Sequence, residues 1–168
     1  MAETKRPPFI AHYSELLKPH ERAPEGMQGE GARFGPHFGL ERIGINLEIL
    51  PPGNRSSHPH AESKEEEFVY VLQGTPDVWI DGVLHPLNPG DGVGFLAGTG
   101  IAHSFLNNSD SDVHLLIVGE HQVEGNQLYY PLHAERMAVF RRRNRAWDDA
   151  PKHVLGPHDG NARAGTRK

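Results

Sequence analysis

The sequence predicts an all-β domain closed into a sandwich or barrel, and three observations point there. Apolar runs of strand length recur between residues 41 and 120. Turn chemistry from Gly, Asn-Asn and Asp separates them about every eight to twelve residues. Nineteen glycines and fourteen prolines in 168 residues leave little uninterrupted chain for long helices.

The first run, "ERIGINLEIL", sets Ile43, Ile45, Leu47 and Ile49 at period two, the pattern of a half-buried strand, and "PPGNRSS" ends it. On this reading Asn46 and Glu48 alternate with the apolar face and are solvent-facing or sheet-pairing; the opposite orientation would make them supporting groups for a site. Five further β segments follow in "FVYVLQG", "PDVWIDG", "VLHPLNPGDGVGFLAG", "IAHSFLNNSD" and "VHLLIVGE". Tyr70 and Trp79 are expected to pack on the outer face, beneath an arm or a partner subunit. His85 and His114 lie in or beside β segments, where a satisfied structural role is expected.

Residues 1–40, rich in Pro, Gly and charge, read as an N-terminal arm over the core, with "AHYSELLK" its one helical stretch. Residues 121–168 read as a C-terminal extension, with a short helix after Pro131 and an extended or disordered tail. Residues 41–120 are left as the barrel.

A formal charge of −5 disfavours nucleic acid or an anionic membrane as a general partner, since both are polyanions. "FRRRNRAW" is basic with flanking aromatics, but in this acidic chain it reads as a solvated face or subunit contact. The absence of cysteine excludes disulfides, thiolate metal sites and cysteine nucleophiles. The charged, proline-containing N-terminus and the lack of a long apolar run predict a soluble cytoplasmic protein.

The stretch "SHPHAESKEEEFVYVLQG" carries the chemistry. In extended chain His58 and His60 project to one side about 7 Å apart, from where both imidazoles can tilt toward one cation. Strand parity turns Glu65 and Glu67 inward and Glu66 outward. A carboxylate inside a barrel is costly unless a cation or a donor meets it. Taken alone, a histidine pair followed by acids is more often a surface loop.

A second stretch, "GDGVGFLAGTGIAHSFLNN", changes the balance by placing Gly92, Gly98, Gly100, His103 and Asn107 downstream of a second hairpin. Together the two stretches resemble the paired motifs of the cupin superfamily. Gly53, His58, His60, Glu67 and Gly74 match the first motif; Gly92, Gly98 in the proline position, Gly100, His103 and Asn107 match the second. The match spans about residues 41–120 and looks like small single-domain bacterial-type cupins. It departs from the pattern in the shorter gap before His58, the longer gap before Glu67, and the glycine at position 98.

The resemblance implies a cupin-type jelly-roll barrel (double-stranded β-helix) holding one divalent metal ion, Fe, Mn, Ni or Zn, by His58, His60, Glu67 and His103. Glu65 competes with Glu67 as the carboxylate. Val69 and Val71 continue the face of Glu67 to the Gly74 turn, and a loop absorbs two extra residues cheaply, so Glu67 is preferred. Such a set leaves open positions for a small, oxygen-rich chelating substrate in an oxygenase, isomerase or lyase reaction. The same fold hosts non-catalytic small-molecule binding or sensing proteins, so the alternative stays open. The resemblance also implies a homodimer, and Asn107 and the motif glycines are expected to serve turns.

Overall fold

The computed structural model describes residues 6–21 and 23–167. Residues 1–5, 22 and 168, part of the expected arm and tail, lie outside the described residues. The chain opens with α1 (Tyr13–Leu16), β1 (Leu17–Pro19), β2 (Glu30–Arg33) and α2 (Phe34–Phe38). Then come β3 (Ile43–Leu50), β4 (Ala61–Glu62), β5 (Glu67–Gln73), β6 (Asp77–Ile80) and β7 (Val83–Pro86). The remainder is β8 (Gly92–Phe95), β9 (His103–Leu106), β10 (Val113–Glu120), β11 (Leu128–Tyr129) and α3 (Ala134–Arg142).

The strands form a six-stranded sheet in the order β1-β2-β3-β10-β5-β8, a three-stranded sheet β7-β6-β9, and the pair β11-β4. Among the described residues, each pairing between two of these strands is antiparallel. This is the mostly-β architecture that the turn rhythm predicts, consistent with the jelly-roll that the cupin resemblance implies. Between the two larger sheets lies a core of Leu50, Val69, Val71, Val78, Leu87, Phe105, Val113 and Leu115. β-branched and aromatic side chains dominate β5, as a strand buried on one face favours.

The ladder fixes which residues look inward. Val113 sits opposite Leu50, Leu115 opposite Glu48 and Ile117 opposite Asn46. Across the other edge of β10, Leu115 faces Val71, Ile117 faces Val69, and Gly119 faces Glu67. Opposed residues share a face, so Asn46 and Glu48 belong to the inner face, with the core. The solvent-facing reading of these two is therefore corrected. β3 carries apolar side chains on both faces at its Leu50 end, and the isoleucines that suggested the inner face lie on the outer one. There Leu47 is buried against β2 and β10, while Ile43, Phe68, Tyr70 and Leu72 remain exposed.

The N-terminal segment does more than lie over the core. β2 pairs with β3 from Glu30↔Ile49 to Arg33↔Asn46, and β1 pairs with β2, so it widens the sheet. The C-terminal tail, expected to be extended or disordered, is extended but firmly packed. Trp79, fully buried, donates its indole N–H to the His158 carbonyl at 2.9 Å and packs in a cluster with Leu106, Trp147 and Ala150. Arg167 donates to the carbonyls of Thr75 (2.6 Å), Leu87 (3.0 Å) and Pro76, and lies 3.5 Å from Asp77.

Two motif positions explain themselves. Gly98 has φ +76°, which proline, locked near −65°, cannot adopt. Asn107, fully buried, donates to the carbonyls of Leu50 (2.7 Å) and Ser111 (2.8 Å) and accepts from the N–H and hydroxyl of Ser109. It is a structural tie. Among the described residues no helix is long and apolar enough to cross a membrane.

Candidate metal centre

His103 is presented by β9, whose inner face continues to Phe105 in the core. His60 bridges to it through the backbone, His60 N–H to His103 O at 3.2 Å and His103 N–H to His60 O at 2.9 Å. Their ring centroids are 5.3 Å apart. Glu67, the first residue of β5, brings its Oε1 to 3.1 Å from His103 Nε2. Phe95, opposite Glu67 on β8, stacks on the His103 ring with centroids 3.5 Å apart and planes within 5°. One small hollow, about 10 Å³, is lined by His60, Glu62, Glu65, Glu67, Phe95, Leu96, Thr99, Ile101 and His103. That is the scale of a single water-sized sphere.

The expected set is thus brought together in three of its four members. His58 is not among the residues lining the hollow. Its Nδ1 receives Arg55 at 3.0 Å and faces His133 Nε2 at 3.1 Å, with the two rings edge to face. Glu62, two residues beyond His60, takes a place in the lining instead, 3.8 Å from His60 Nε2. Glu65 also lines the hollow, but one of its oxygens accepts the Val123 N–H at 2.9 Å. Glu62 and His133 were not singled out as site residues by the sequence, and Glu48 was weighed only as a supporting group in the orientation now found. Their positions follow from pairings far along the chain, β4 with β11 and β3 with β10.

Burial and mutual contact shift the titration of these groups. Burial, then the neighbouring His103, pushes His60 down to about 4, so its ring is neutral. His60 Nδ1 lies 2.9 Å from the His58 carbonyl, which can only accept, so Nδ1 carries the proton and the Nε2 lone pair is free. Burial alone would push Glu67 up, but the hydrogen bond and charge of His103, with His60, hold it below the usual carboxylate range. Burial, then the hydrogen bond and charge of Glu65, pushes Glu62 up to about 8. Glu48 is also pushed up to about 8, by burial and then by the charge of Glu67. His58 falls to about 4 through burial, then through His133 and Arg55.

Whether these residues fit a divalent ion is answered by their chemistry. Two imidazoles and an ionised carboxylate are a donor set that first-row divalent metals accept. His103 Nδ1 is buried without a partner, so this ring is not satisfied by protein groups alone. Among the described residues, however, no three His, Asp or Glu side chains already surround a common point. Glu67 and His103 bond directly to each other, and His58 is engaged elsewhere. The donor types fit; their arrangement is that of a self-paired cluster.

Comparison with known proteins places the fold. The Cupin domain family matches residues 46–119. A sugar phosphate isomerase from a cupin superfamily, of Silicibacter pomeroyi, is 30% identical, with 70% of this chain and 78% of that one covered and a TM-score of 0.62. A candidate sugar phosphate isomerase of Acidithiobacillus ferrooxidans is 29% identical, with 74% and 81% covered and a TM-score of 0.65. Protein SchB of Streptomyces halstedii is 38% identical over 73 residues, 43% of this chain and 50% of that protein. The matched stretch thus spans about half the length of that curated relative. With the motifs, the barrel and these matches together, the chain belongs to the cupin superfamily.

Proposed function

We propose that the protein is a metal-dependent cupin enzyme that isomerises a small, oxygen-rich molecule, with the ion held by His60, Glu67 and His103. The single observation carrying this reading is that a neutral imidazole, a carboxylate held below its usual range and a second, incompletely partnered imidazole line one hollow of about 10 Å³. His58, part of the set expected from sequence, enters only if it exchanges Arg55 and His133 for the ion. Glu62 is the nearer fourth donor. Likeness to two structures described as sugar phosphate isomerases favours isomerisation over oxygenation or lysis.

When bound, the ion would supply a Lewis acid for neighbouring substrate oxygens. The chain's own share is positional. Phe95 fixes the plane of the His103 imidazole, and the His58 carbonyl fixes the tautomer of His60. Glu48, on the inner face and protonated at neutral pH, is the acid available to hold or move a proton.

A second reading, a non-catalytic small-molecule binder, is favoured by the size of the hollow, which admits an ion or a water and no substrate without rearrangement. Elemental analysis of the purified protein, followed by assay of phosphorylated and free sugars, separates the two. One equivalent of metal with turnover supports the enzyme; metal without turnover supports the binder. Full metal content in both His60→Ala and His103→Ala would remove the assigned centre.

We also propose a homodimer formed through the exposed apolar patch of Ile43, Phe68, Tyr70 and Leu72 on the outer face. Light scattering at micromolar concentration should give twice the chain mass.

A further inference from the structure

A second, larger hollow lies away from His60, Glu67 and His103. A cavity of about 510 Å³ opens between α1, the β1–β2 hairpin and α2. Lys18, His20, Arg33 and His37 line it, together with Glu15. The carboxylate of Glu15 is already engaged by Arg6 at 2.8 Å. Lys18 and Arg33 have no ion-pair partner among the described residues. In a chain of net charge −5 this concentrates unneutralised positive charge on one concave surface.

The cavity has a built-in allowance for one of these groups. A Cβ at Gly31 would sit 3.0 Å from His20 Nε2, so the absence of a side chain there gives the imidazole its place. The cavity also leads inward. A smaller hollow of about 180 Å³ shares His20, Gly31 and Arg33 with it and is completed by Asn46, Leu47, Glu48 and Ile117. Asn46 and Glu48 lie on the barrel's inner face, and the charge of Glu67 acts on Glu48.

We propose that Lys18, His20, Arg33 and His37 form an oxyanion subsite that takes the phosphoryl or carboxylate group of the substrate, whose body then lies along Asn46 and Glu48. The guanidinium of Arg33 suits either anion by paired donation, and Lys18 adds a mobile point charge. This assignment rests on the enzymatic reading for the word substrate, while anion binding itself does not.

The test is calorimetric titration of the intact protein with inorganic phosphate and, separately, with malonate. Saturable binding of phosphate alone assigns a phosphoryl group, and of malonate alone or of both extends the subsite to carboxylates. The Lys18→Gln/Arg33→Gln double variant should weaken binding at least about ten-fold, and raising NaCl from about 50 to about 500 mM should weaken it as well. Glu67→Gln and His60→Ala should leave it within about two-fold of the parent. Circular dichroism checks that each variant is folded, and Glu67→Gln stands alone if His60→Ala is not. No binding of either anion, or unchanged affinity in the double variant, overturns the subsite. Loss of anion binding in folded Glu67→Gln also overturns it, since the anion would then sit at the metal centre, and that outcome leaves the proposed function standing.

Discussion

Along β5 the inner face reads Val71, Val69, Glu67, and along β9 it reads Phe105, His103; toward one end of the barrel both strands are apolar, and toward the other both carry ionisable groups. The apolar end is sealed by a tie from Asn107 and by the guanidinium of Arg167. The histidine end has a small hollow and a buried ring nitrogen without a partner. The contrast shows a division of labour within single strands. Close packing at one end supplies the stability that allows poorly satisfied polar groups at the other.

Substitutions at the two ends should therefore differ in kind. Leu115→Ala at the apolar end should cost about 2–5 kcal/mol in chemical denaturation, since it removes a fully buried side chain from a packed core. A loss under about 1 kcal/mol would show that this end is not the stabilising one. Asn107→Ala should cost about 2–3 kcal/mol by stranding buried carbonyl and N–H groups, measured in the same way.

Glu48 sharpens the comparison through pH. Its folded value, about 8, lies above the unfolded 4.5. Between these values the unfolded chain has released the proton that the folded chain retains. Stability from this group is thus greatest at low pH, falls as pH rises from 4.5 to about 8, and levels off above. Glu48→Gln should reduce the slope, leaving the part due to Glu62, and near pH 8 stabilise the protein by about 1–3 kcal/mol. Thermal melts across the window check it, and an unchanged slope would assign the inner-face carboxyl wrongly.

The smallest stability effect is expected at the metal centre. Glu67→Gln keeps the size of the side chain and should shift the melting temperature of metal-free protein by no more than about 4 °C. The same variant should lower bound divalent metal at least about ten-fold, read by elemental analysis after dialysis. A large melting shift with unchanged metal would reverse the roles given to the two ends.

The strands and the inward side of Glu67 were legible because each depends on period-two alternation within a few residues. Parity turned both Glu65 and Glu67 inward, and the unbroken face from Glu67 to Gly74 favoured Glu67, which lies beside His103. The face of β3 was not legible, because its Leu50 end is apolar on both sides and local alternation has no reference there. Only pairing with Val113 and Leu115, more than sixty residues on, selects the inner face. His58 failed to join its pair for a similar reason: Arg55 is near in sequence, but His133 arrives through the C-terminal segment. Glu62 becomes a lining group where β4 meets β11, a pairing too short to leave a pattern.

The clasp of Arg167 on the carbonyls of Thr75, Pro76 and Leu87 has a temporal consequence. During synthesis those acceptors leave the ribosome some eighty or ninety residues ahead of the guanidinium that engages them. Chain order alone therefore makes these contacts among the last that can form as the protein is made.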